Sequence, residues 1–243
     1  MKALEFISVQ KSFEDKSVLR GANFSIQDGE FVTILGANGS GKTTVLNLIA
    51  GLLNTDSGVI VRSHSASTSY IRQNYADTLL PWKKNIQNLT LPLQIANTPK
   101  EQRTAIANQF IDRFEMDFNF QKYPYQLSGG QQQQLALLRG IISNPEVLLL
   151  DEPFGALDYA IRRRISNQIL KYWQERQCTV VMVTHDIDEA ILLSDRILLL
   201  VDGKIDENSN YTIEFERPRN IELIAAPRFG LLKANIIKTL GYD

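Results

Sequence analysis

The sequence predicts an α/β fold whose sheet contains parallel strands. Apolar runs of strand length occur at 31–35 (FVTIL), 146–150 (EVLLL) and 179–183 (TVVMV), and such runs are typical of buried strands. Segments with apolar residues at helical spacing follow them, as at 45–53 and 159–174. Strands that alternate with helices favour a sheet with parallel strands and helices packed against it.

The other elements follow from the same periodicities and from turn residues. Asp28-Gly29 and Asp202-Gly203 are dipeptides typical of turns. The predicted elements are short strands joined by turns over 3–9 and 22–35, strands at 59–61 and 196–201, a polar loop at 62–69, helices at 159–174 and 187–194, and a C-terminal packing helix that carries Phe229, Leu232, Ile236, Ile237 and Leu240.

Residues 86–145 differ in composition from the flanking chain, because Gln, Asn, Lys and Arg become frequent and β-branched runs disappear. Pro99 at a helix start, followed by Ile106, Phe110 and Phe114 at four-residue intervals, indicates an amphipathic helix. We therefore expect a single domain over 1–243, with a core formed by 1–85 and 146–205, a mainly helical subdomain at 86–145 and a C-terminal extension at 206–243.

Length, charge and cysteine content limit the classes of protein. The chain has 243 residues, a formal net charge of −1 and a pI of about 6.2, so we expect no nucleic-acid partner. The first residues lack the apolar segment of a signal peptide, and no apolar run approaches the ~20 residues that span a bilayer. Cys178 stands alone and is expected to be a small core residue.

Residues 36–44 read GANGSGKTT and predict a phosphate-binding loop. They stand between a predicted buried strand and a predicted helix, which is the context that this pattern requires. Backbone N–H groups at such a helix start attract an anion. We expect Lys42 to reach the β- and γ-phosphates of a nucleoside triphosphate and the Thr43 hydroxyl to ligate Mg²⁺. The alternative is a plain flexible turn.

Two adjacent carboxylates, Asp151 and Glu152, follow the predicted strand at 146–150. Carboxylates at the end of an apolar strand are costly to bury without compensation, and Mg²⁺ on the triphosphate would compensate them. Asp151 is then a metal ligand, and Glu152 polarises the attacking water. The alternative is a strand that runs into a solvated loop.

The stretch QLSGGQQQQLALLRG (126–140) predicts a second helix start that can bind an anion. Ser128 can cap the helix, and Gly129 and Gly130 leave its N–H groups accessible. Because the loop at 36–44 is already expected to hold a nucleotide, this second site is expected to serve the nucleotide of a different molecule. The alternative is an ordinary serine N-cap.

Together these motifs resemble the ABC-type ATPases over about residues 3–205. LSGGQ is the family's signature; Gln73 matches its Q-loop, Gly155-Ala156-Leu157-Asp158 its D-loop, His185 its switch histidine and Phe13 the aromatic that stacks on adenine. The resemblance implies a P-loop NTPase (ABC ATPase) fold with a mixed β-sheet core and a helical subdomain that carries the signature. It also implies head-to-tail homodimers that hold two ATP molecules.

The resemblance assigns roles to individual residues, although Phe13 can equally be a core aromatic and His185 a hydrogen-bonded residue at a strand end. Gln134 stands where the family usually has Arg, and we expect it to change how the signature helix is held without removing activity. The implied sites are catalytic Glu152, His185 and Gln73; nucleotide-binding Phe13, Gly36, Asn38, Gly39, Ser40, Gly41, Lys42, Thr43, Thr44, Ser128, Gly129, Gly130, Gln131 and Asp158; and the Mg²⁺ ligands Thr43, Gln73 and Asp151.

The segments LLPWKKNIQNLTLPL (79–93) and DEPFGALD (151–158) resemble those of importers for nitrate, sulfonate and taurine. That resemblance implies the ATP-hydrolysing subunit of an importer, peripheral on the cytoplasmic face of the inner membrane. Permease subunits would bind through the Gln73–Trp82 region, and a solute-binding protein would act only indirectly. We expect the apolar run at 79–82 to face the permease rather than this chain's own core.

Three alternatives remain open at this point. A soluble ABC ATPase without a transport role would usually carry two cassettes or a long coiled coil, and this chain has one glycine loop and no heptad run. An importer of an unrelated small solute, such as a thiamine precursor, would have the same motifs. A regulatory module without turnover would be expected to lose Glu152 or His185, and both are present.

Overall fold

The computed structural model describes residues 1–14, 16–63, 67–75, 78–155, 157–205 and 209–241. The chain divides into two compact units, of which the first comprises 1–66 and 179–243 and the second comprises 67–178. Ala156, part of the predicted D-loop, lies outside the described residues.

Strands and helices alternate over much of the chain, as predicted. The strands are β1 (Lys2–Phe13), β2 (Lys16–Gln27), β3 (Phe31–Leu35), β4 (Ser57–Arg62), β5 (Thr68–Ile71), β6 (Val147–Asp151), β7 (Thr179–Thr184), β8 (Arg196–Leu199) and β9 (Asn210–Thr212). The helices are α1 (Lys42–Ile49), α2 (Asn85–Leu89), α3 (Leu91–Ile95), α4 (Lys100–Arg113), α5 (Gly129–Ile141), α6 (Tyr159–Arg176), α7 (Ile187–Leu193) and α8 (Pro227–Leu240).

An antiparallel sheet in the order β2-β1-β4 forms part of the first unit. Phe6 of β1 is opposite Phe24 of β2 and Ile60 of β4. Leu4 and Phe6 are both buried, because alternate residues of a strand face the same side of its sheet. The ring centroids of Phe6 and Phe24 lie 4.3 Å apart, so aromatic stacking supports this pairing.

Parallel strands form the other sheet of the first unit. Strand β3 lies between β7 and β8, and Leu35 is opposite both Thr184 and Leu199. Every residue of β3 and of β7 is buried, as is typical of central parallel strands. Strand β9 pairs antiparallel with β8, so the sheet is mixed, in agreement with the fold class that the sequence predicted.

The C-terminal helix α8 packs against α7, and its predicted packing role is confirmed. Phe229 and Ile236 are fully buried in one cluster with Ala190 and Ile191 of α7. On the surface of this contact, the Lys233 ammonium lies 2.7 Å from a carboxylate oxygen of Asp188.

A buried arginine fastens the C-terminal extension to the end of α7. The Arg219 side chain is 8% exposed, and burial lowers the pKa of its guanidinium to about 10, which leaves it charged at neutral pH. It donates hydrogen bonds to the backbone carbonyl oxygens of Ile191, Ser194, Ile213 and Phe215. Two of these carbonyls lie at the C-terminal end of α7, where a cation is favoured by the helix dipole.

The second unit contains the parallel pair β5 and β6, with Thr68 opposite Val147. Helix α5 packs closely on this pair at Gly140. A Cβ there would lie 2.5 Å from side-chain atoms of Ile71, so only glycine permits this approach of helix to strand.

Helices occupy the stretch that composition predicted to be mainly helical, and α6 covers the helix predicted at 159–174. The Tyr172 hydroxyl of α6 donates a 3.1 Å hydrogen bond to the Ile141 carbonyl oxygen.

Cys178 is buried, as expected of a small core residue, and burial raises the pKa of its thiol to about 11.

Two local predictions were wrong. Strand β2 begins at Lys16 rather than near 22, and β5 begins at Thr68, inside the segment 62–69 that was predicted to be a polar loop. Strand β5 is defined by its pairing with β6, since its few residues carry no clear period of their own.

In the segments that the structure describes, no helix is both long and apolar enough to cross a membrane.

Replacing the buried guanidinium is expected to destabilise the fold. Arg219→Met would leave several buried carbonyl groups without a donor, and we expect a loss of about 2–4 kcal/mol in the free energy of unfolding. Arg228→Met is the matched control, because Arg228 is 77% exposed in its 3.6 Å ion pair with Glu214, and a change within about 0.5 kcal/mol is expected. Urea denaturation of both variants measures the difference; equal midpoints would contradict the role of Arg219.

Candidate active site

The predicted phosphate-binding loop connects β3 to α1. Gly39 and Gly41 have φ angles of 76° and 107°, values that residues with a Cβ rarely adopt. A Cβ on Gly41 would also lie 2.5 Å from the Val18 side chain. Gly41 occupies the N-cap of α1 and supplies no side-chain cap, and the start of an α-helix attracts an anion.

Lys42 lies along the loop rather than extending into solvent. Its side chain is 7% exposed, and its ammonium donates hydrogen bonds of 2.8 and 3.1 Å to the carbonyl oxygens of Gly36 and Ala37. The Ser40 hydroxyl is buried without a hydrogen-bond partner in the described structure. Asn38 and Thr43 are exposed, and Thr44 is half-buried. These donors fit a chain of phosphates, and the Thr43 hydroxyl suits a divalent cation bound to it.

His185 lies at the same edge of the sheet as this loop. Leu35 and Thr184 are paired in parallel, so the residues that follow them, Gly36 and His185, leave the sheet side by side. The turn at His185 is held by local hydrogen bonds, because Asp186 donates its N–H to the Thr184 hydroxyl at 3.1 Å and accepts the Glu189 N–H at 3.1 Å. His185 is exposed, so its ring is accessible to a bound phosphate.

Phe13 ends β1, and its ring is 44% exposed, which excludes the alternative that it is a core aromatic. The Lys11 ammonium lies 5.5 Å from the ring centroid and 2.6 Å from a carboxylate oxygen of Asp56. The Ser12 N–H donates to the other oxygen of Asp56. These contacts fix the end of β1 and leave one aromatic surface open to a ligand.

The two carboxylates at the end of β6 have different surroundings within the second unit. Asp151 is 3% exposed and accepts a 3.2 Å hydrogen bond from the Tyr70 hydroxyl. Burial, followed by the Asp151 charge, raises the pKa of Tyr70 well above its usual range. Glu152 is half-buried and has a φ of 47°, an uncommon conformation for a residue with a Cβ. Such backbone strain is often found at functional sites.

Ser128 forms the N-cap of α5, as the sequence predicted. Its hydroxyl accepts the Gln131 N–H at 3.3 Å, and the Gln131 side chain accepts the Ser128 N–H at 3.0 Å. Ser128 and Gly129 are exposed, and Gly130 is half-buried. The reciprocal cap fixes the helix start, and the N–H groups of the two glycines point out of the helix.

Three further segments of the second unit meet the start of α5, and sequence reasoning missed all three contacts. A Cβ on Gly129 would lie 3.0 Å from the Tyr75 hydroxyl, and one on Gly130 would lie 3.6 Å from the Leu157 side chain. The Gln133 amide donates to the Pro153 carbonyl oxygen. Because these residues are distant in sequence, only the fold brings them together.

Asp158 and Gln73 occupy different local environments in the second unit. Asp158 is the N-cap of α6, where its carboxylate accepts the Ile161 N–H at 3.0 Å. Gln73 is exposed shortly after β5, and its carbonyl accepts the Tyr75 N–H at 3.1 Å. Asp158 thus has a structural task of its own, whereas the Gln73 side chain is accessible.

The prediction that the whole run at 79–82 faces a partner is wrong for Leu79, which is 4% exposed, whereas Trp82 is 71% exposed. The physical reason is a tight turn built on Asn88, which is itself fully buried. The Asn88 amide accepts the Leu80 N–H at 2.8 Å and donates to carbonyl oxygens of Leu80 and Lys83 at 3.0 Å each. The turn directs Leu79 inward and Trp82 outward.

Gln134, which replaces the expected Arg, is buried in the second unit. Its side chain is 2% exposed, and its amide nitrogen has no hydrogen-bond partner in the described structure. Arg139, in the last turn of the same helix, donates a 2.6 Å hydrogen bond to the Thr78 carbonyl oxygen. Burial lowers the pKa of Arg139. The helix is therefore held through Arg139 and Gln133, and Gln134 adds no polar contact among the described residues.

Comparison with curated proteins finds relatives over almost the whole chain. The aliphatic sulfonates import ATP-binding protein SsuB 1 of Streptomyces avermitilis is 35% identical over 241 residues, which cover 99% of this chain and 87% of that protein. The nitrate import ATP-binding protein NrtC of Synechococcus elongatus is 38% identical over 91% of this chain, although the match covers 35% of that longer protein.

Solved structures and a family profile agree with these relatives. The dimeric bacterial ABC transporter cassette MJ0796, solved in a post-hydrolysis state with ADP and Pi, is 29% identical, with a TM-score of 0.76 over 88% of this chain and 100% of that chain. The profile described as ABC transporter matches residues 19–155. The chain therefore belongs to the ABC transporter family of ATP-binding cassettes, and it is an ATPase that binds ATP.

Proposed function

We propose that this ATPase is the ATP-hydrolysing subunit of an importer for a small solute, and that it works as a homodimer bound to a separate permease. The observation that carries the proposal is the turn held by Asn88, which presents Trp82 at 71% exposure while Leu79 stays buried. A large aromatic fixed outward on a rigid turn is typical of a protein–protein contact. Relatives named as importer subunits for sulfonates and nitrate support this assignment.

ATP binding is assigned to residues of the first unit. The N–H groups of the loop at 36–44 receive the phosphates, together with Lys42 and the buried Ser40 hydroxyl. Asn38 and Thr44 belong to the same segment, Asn38 in the loop and Thr44 in the first turn of α1. Phe13 provides the exposed ring for adenine.

Hydrolysis is assigned to Glu152, which orients and deprotonates the attacking water, with His185 as a hydrogen-bond donor to the γ-phosphate. The Thr43 hydroxyl, Gln73 and Asp151 would hold Mg²⁺, and the ion would neutralise charge on the phosphates. The hydrogen bond from the Tyr70 hydroxyl orients the Asp151 carboxylate.

The helix start at Ser128 is assigned to the ATP of the partner subunit, because each chain has one glycine loop and one such helix start. Ser128, Gly129, Gly130 and Gln131 would supply donors across the dimer, and the D-loop at Asp158 would lie at the same interface. ATP binding then draws the subunits together and hydrolysis releases them, since ATP binds more tightly to the closed state. The dimeric MJ0796 cassette supports a dimeric assembly.

The solute is proposed to be of the nitrate, sulfonate or taurine type. The segment at 79–93 and the named relatives support this class. A separate solute-binding protein and the permease would select the solute, and the chain would lie peripherally on the cytoplasmic face of the membrane. A relative named for spermidine and putrescine import makes an unrelated small solute the second candidate.

Removal of the proposed base is expected to separate binding from turnover. Glu152→Gln should retain ATP affinity and lower the rate of phosphate release by about 10²–10⁴-fold. Glu101→Gln is a matched control in the exposed first turn of α4, and it should hydrolyse ATP at the normal rate. Phosphate release by the purified variants is the measurement, and normal turnover by Glu152→Gln would refute the assignment.

Mixing two inactive variants tests whether Ser128 acts across the dimer. Ser128→Arg and Lys42→Ala should each abolish both sites of a homodimer, but a mixed dimer keeps one intact site. Random exchange should then restore up to about a quarter of normal activity, because half of the dimers carry one good site out of two. A mixture of Ser128→Arg with Gly130→Arg is the control and should stay inactive. Recovery in the control would rule out the proposed geometry.

Trp82 is expected to contribute to permease binding and not to folding. Trp82→Ala should weaken co-purification with the permease by about tenfold or more and leave the melting temperature nearly unchanged. Leu79→Ala is the contrasting variant and should destabilise the fold by about 2–4 kcal/mol, because it leaves a cavity. A large fall in melting temperature for Trp82→Ala with intact permease binding would show that Trp82 belongs to the core.

A further inference from the structure

The Tyr75 side chain lies against the first residue of α5. A Cβ on Gly129 would be 3.0 Å from the Tyr75 hydroxyl oxygen. Gly129 is the first residue of that helix, so its N–H is one of those that an α-helix leaves without an internal acceptor. The phenol oxygen is thus beside the donors that the proposed function assigns to the partner's nucleotide.

The backbone that carries this phenol is fastened to the same helix. The Tyr75 carbonyl oxygen accepts hydrogen bonds from the Thr78 N–H at 3.1 Å and from the Thr78 hydroxyl at 2.8 Å. The Thr78 carbonyl oxygen in turn accepts from Arg139 at 2.6 Å, and Arg139 lies in the last turn of α5. The backbone of the loop is therefore tied to the last turn of α5 through Thr78, and the Tyr75 hydroxyl lies beside the first residue of the same helix.

The chemistry of this position favours an anionic acceptor. A phenol O–H donates one hydrogen bond. The start of a helix has a positive potential from its macrodipole, and an anion placed there accepts from N–H and O–H donors together. Hydrogen bonds to a charged phosphate oxygen are stronger than those between neutral groups. A donor at this point would therefore add affinity for a phosphate group.

We propose that Tyr75 is a further nucleotide-binding residue, and that its hydroxyl donates a hydrogen bond to a phosphate oxygen of the ATP held by the partner subunit. It would act beside Ser128, Gly129 and Gly130, and this role rests on the proposed function of that helix start across the dimer. The loop that carries Gln73 would then supply one hydrogen-bond donor to the ATP that the partner subunit holds. Closure of the dimer would depend on the position of this loop as well as on the helix.

Tyr75→Phe removes one oxygen and keeps the ring, so it tests the hydrogen bond and not the packing. In a Glu152→Gln background, which prevents turnover, the ATP concentration for half-maximal dimerisation should rise about tenfold for the loss of one hydrogen bond to a charged group. Light scattering measures dimerisation. ATP affinity of the dilute monomer, measured with a fluorescent nucleotide, should not change.

Tyr125→Phe is the matched control, since Tyr125 lies three residues before Ser128, its ring is 68% exposed, and it stacks on Tyr123. It should dimerise at the same ATP concentration as the Glu152→Gln parent. Ser128→Arg in the same background tests the helix start independently of Tyr75. If Ser128→Arg weakens dimerisation and Tyr75→Phe does not, the inference about Tyr75 is overturned and the proposed function stands.

Two other results would also be decisive. If neither Ser128→Arg nor Tyr75→Phe alters dimerisation, the helix start does not hold the partner's phosphate, and the proposed function and this inference both fail. If Tyr75→Phe promotes dimerisation at lower ATP, the hydroxyl obstructs the site and the inference is wrong. A rise in the required ATP for Tyr75→Phe, with Tyr125→Phe unchanged and the melting temperatures equal, supports the inference.

Discussion

The arrangement of the first unit depends on the parallel pairing of β3 with β7 and β8. Because Leu35 is opposite both Thr184 and Leu199, the glycine loop and the turn at His185 leave the sheet at one edge. A slip of one residue in either pairing would exchange the two faces of a strand. Every residue of β3 and β7 is buried, so the pairing that satisfies the core also brings the phosphate loop and the histidine together.

The parts of the site that were predictable from sequence are those fixed by neighbouring residues. Each of three features requires particular residue types within a few positions. They are the φ near 107° at Gly41, the reciprocal cap at Ser128 and the histidine at a strand end. Strand β5 was missed because its identity comes from pairing with residues far along the chain, as in the Ser67–Glu146 hydrogen bond between positions 79 apart. Local periodicity carries no information about such a partner.

The error at Leu79 has a related cause. An apolar run was interpreted as one surface, but the turn divides it, and the residue that creates the turn is polar. Asn88 is fully buried and its amide satisfies backbone groups of Leu80 and Lys83. A buried amide with its partners in place fixes a backbone path, and apolar patterns cannot reveal it. The exposure of Trp82 is therefore a consequence of Asn88 as much as of the apolar run itself.

Helix α5 connects the functional segments of the second unit. Its start lies beside Tyr75 and Leu157, its Gln133 donates to the carbonyl of Pro153, which follows Asp151 and Glu152, and its Arg139 donates to the carbonyl of Thr78. Buried polar contacts of this kind specify position more than they add stability. Gln134 brings a buried amide nitrogen without a partner in the described structure, so the polar attachment of α5 comes from its other residues, among them Gln132, Gln133 and Arg139. A shift of the Tyr75 loop must then move α5 or break the Arg139 bond, and this constraint couples that loop to the helix start at Ser128.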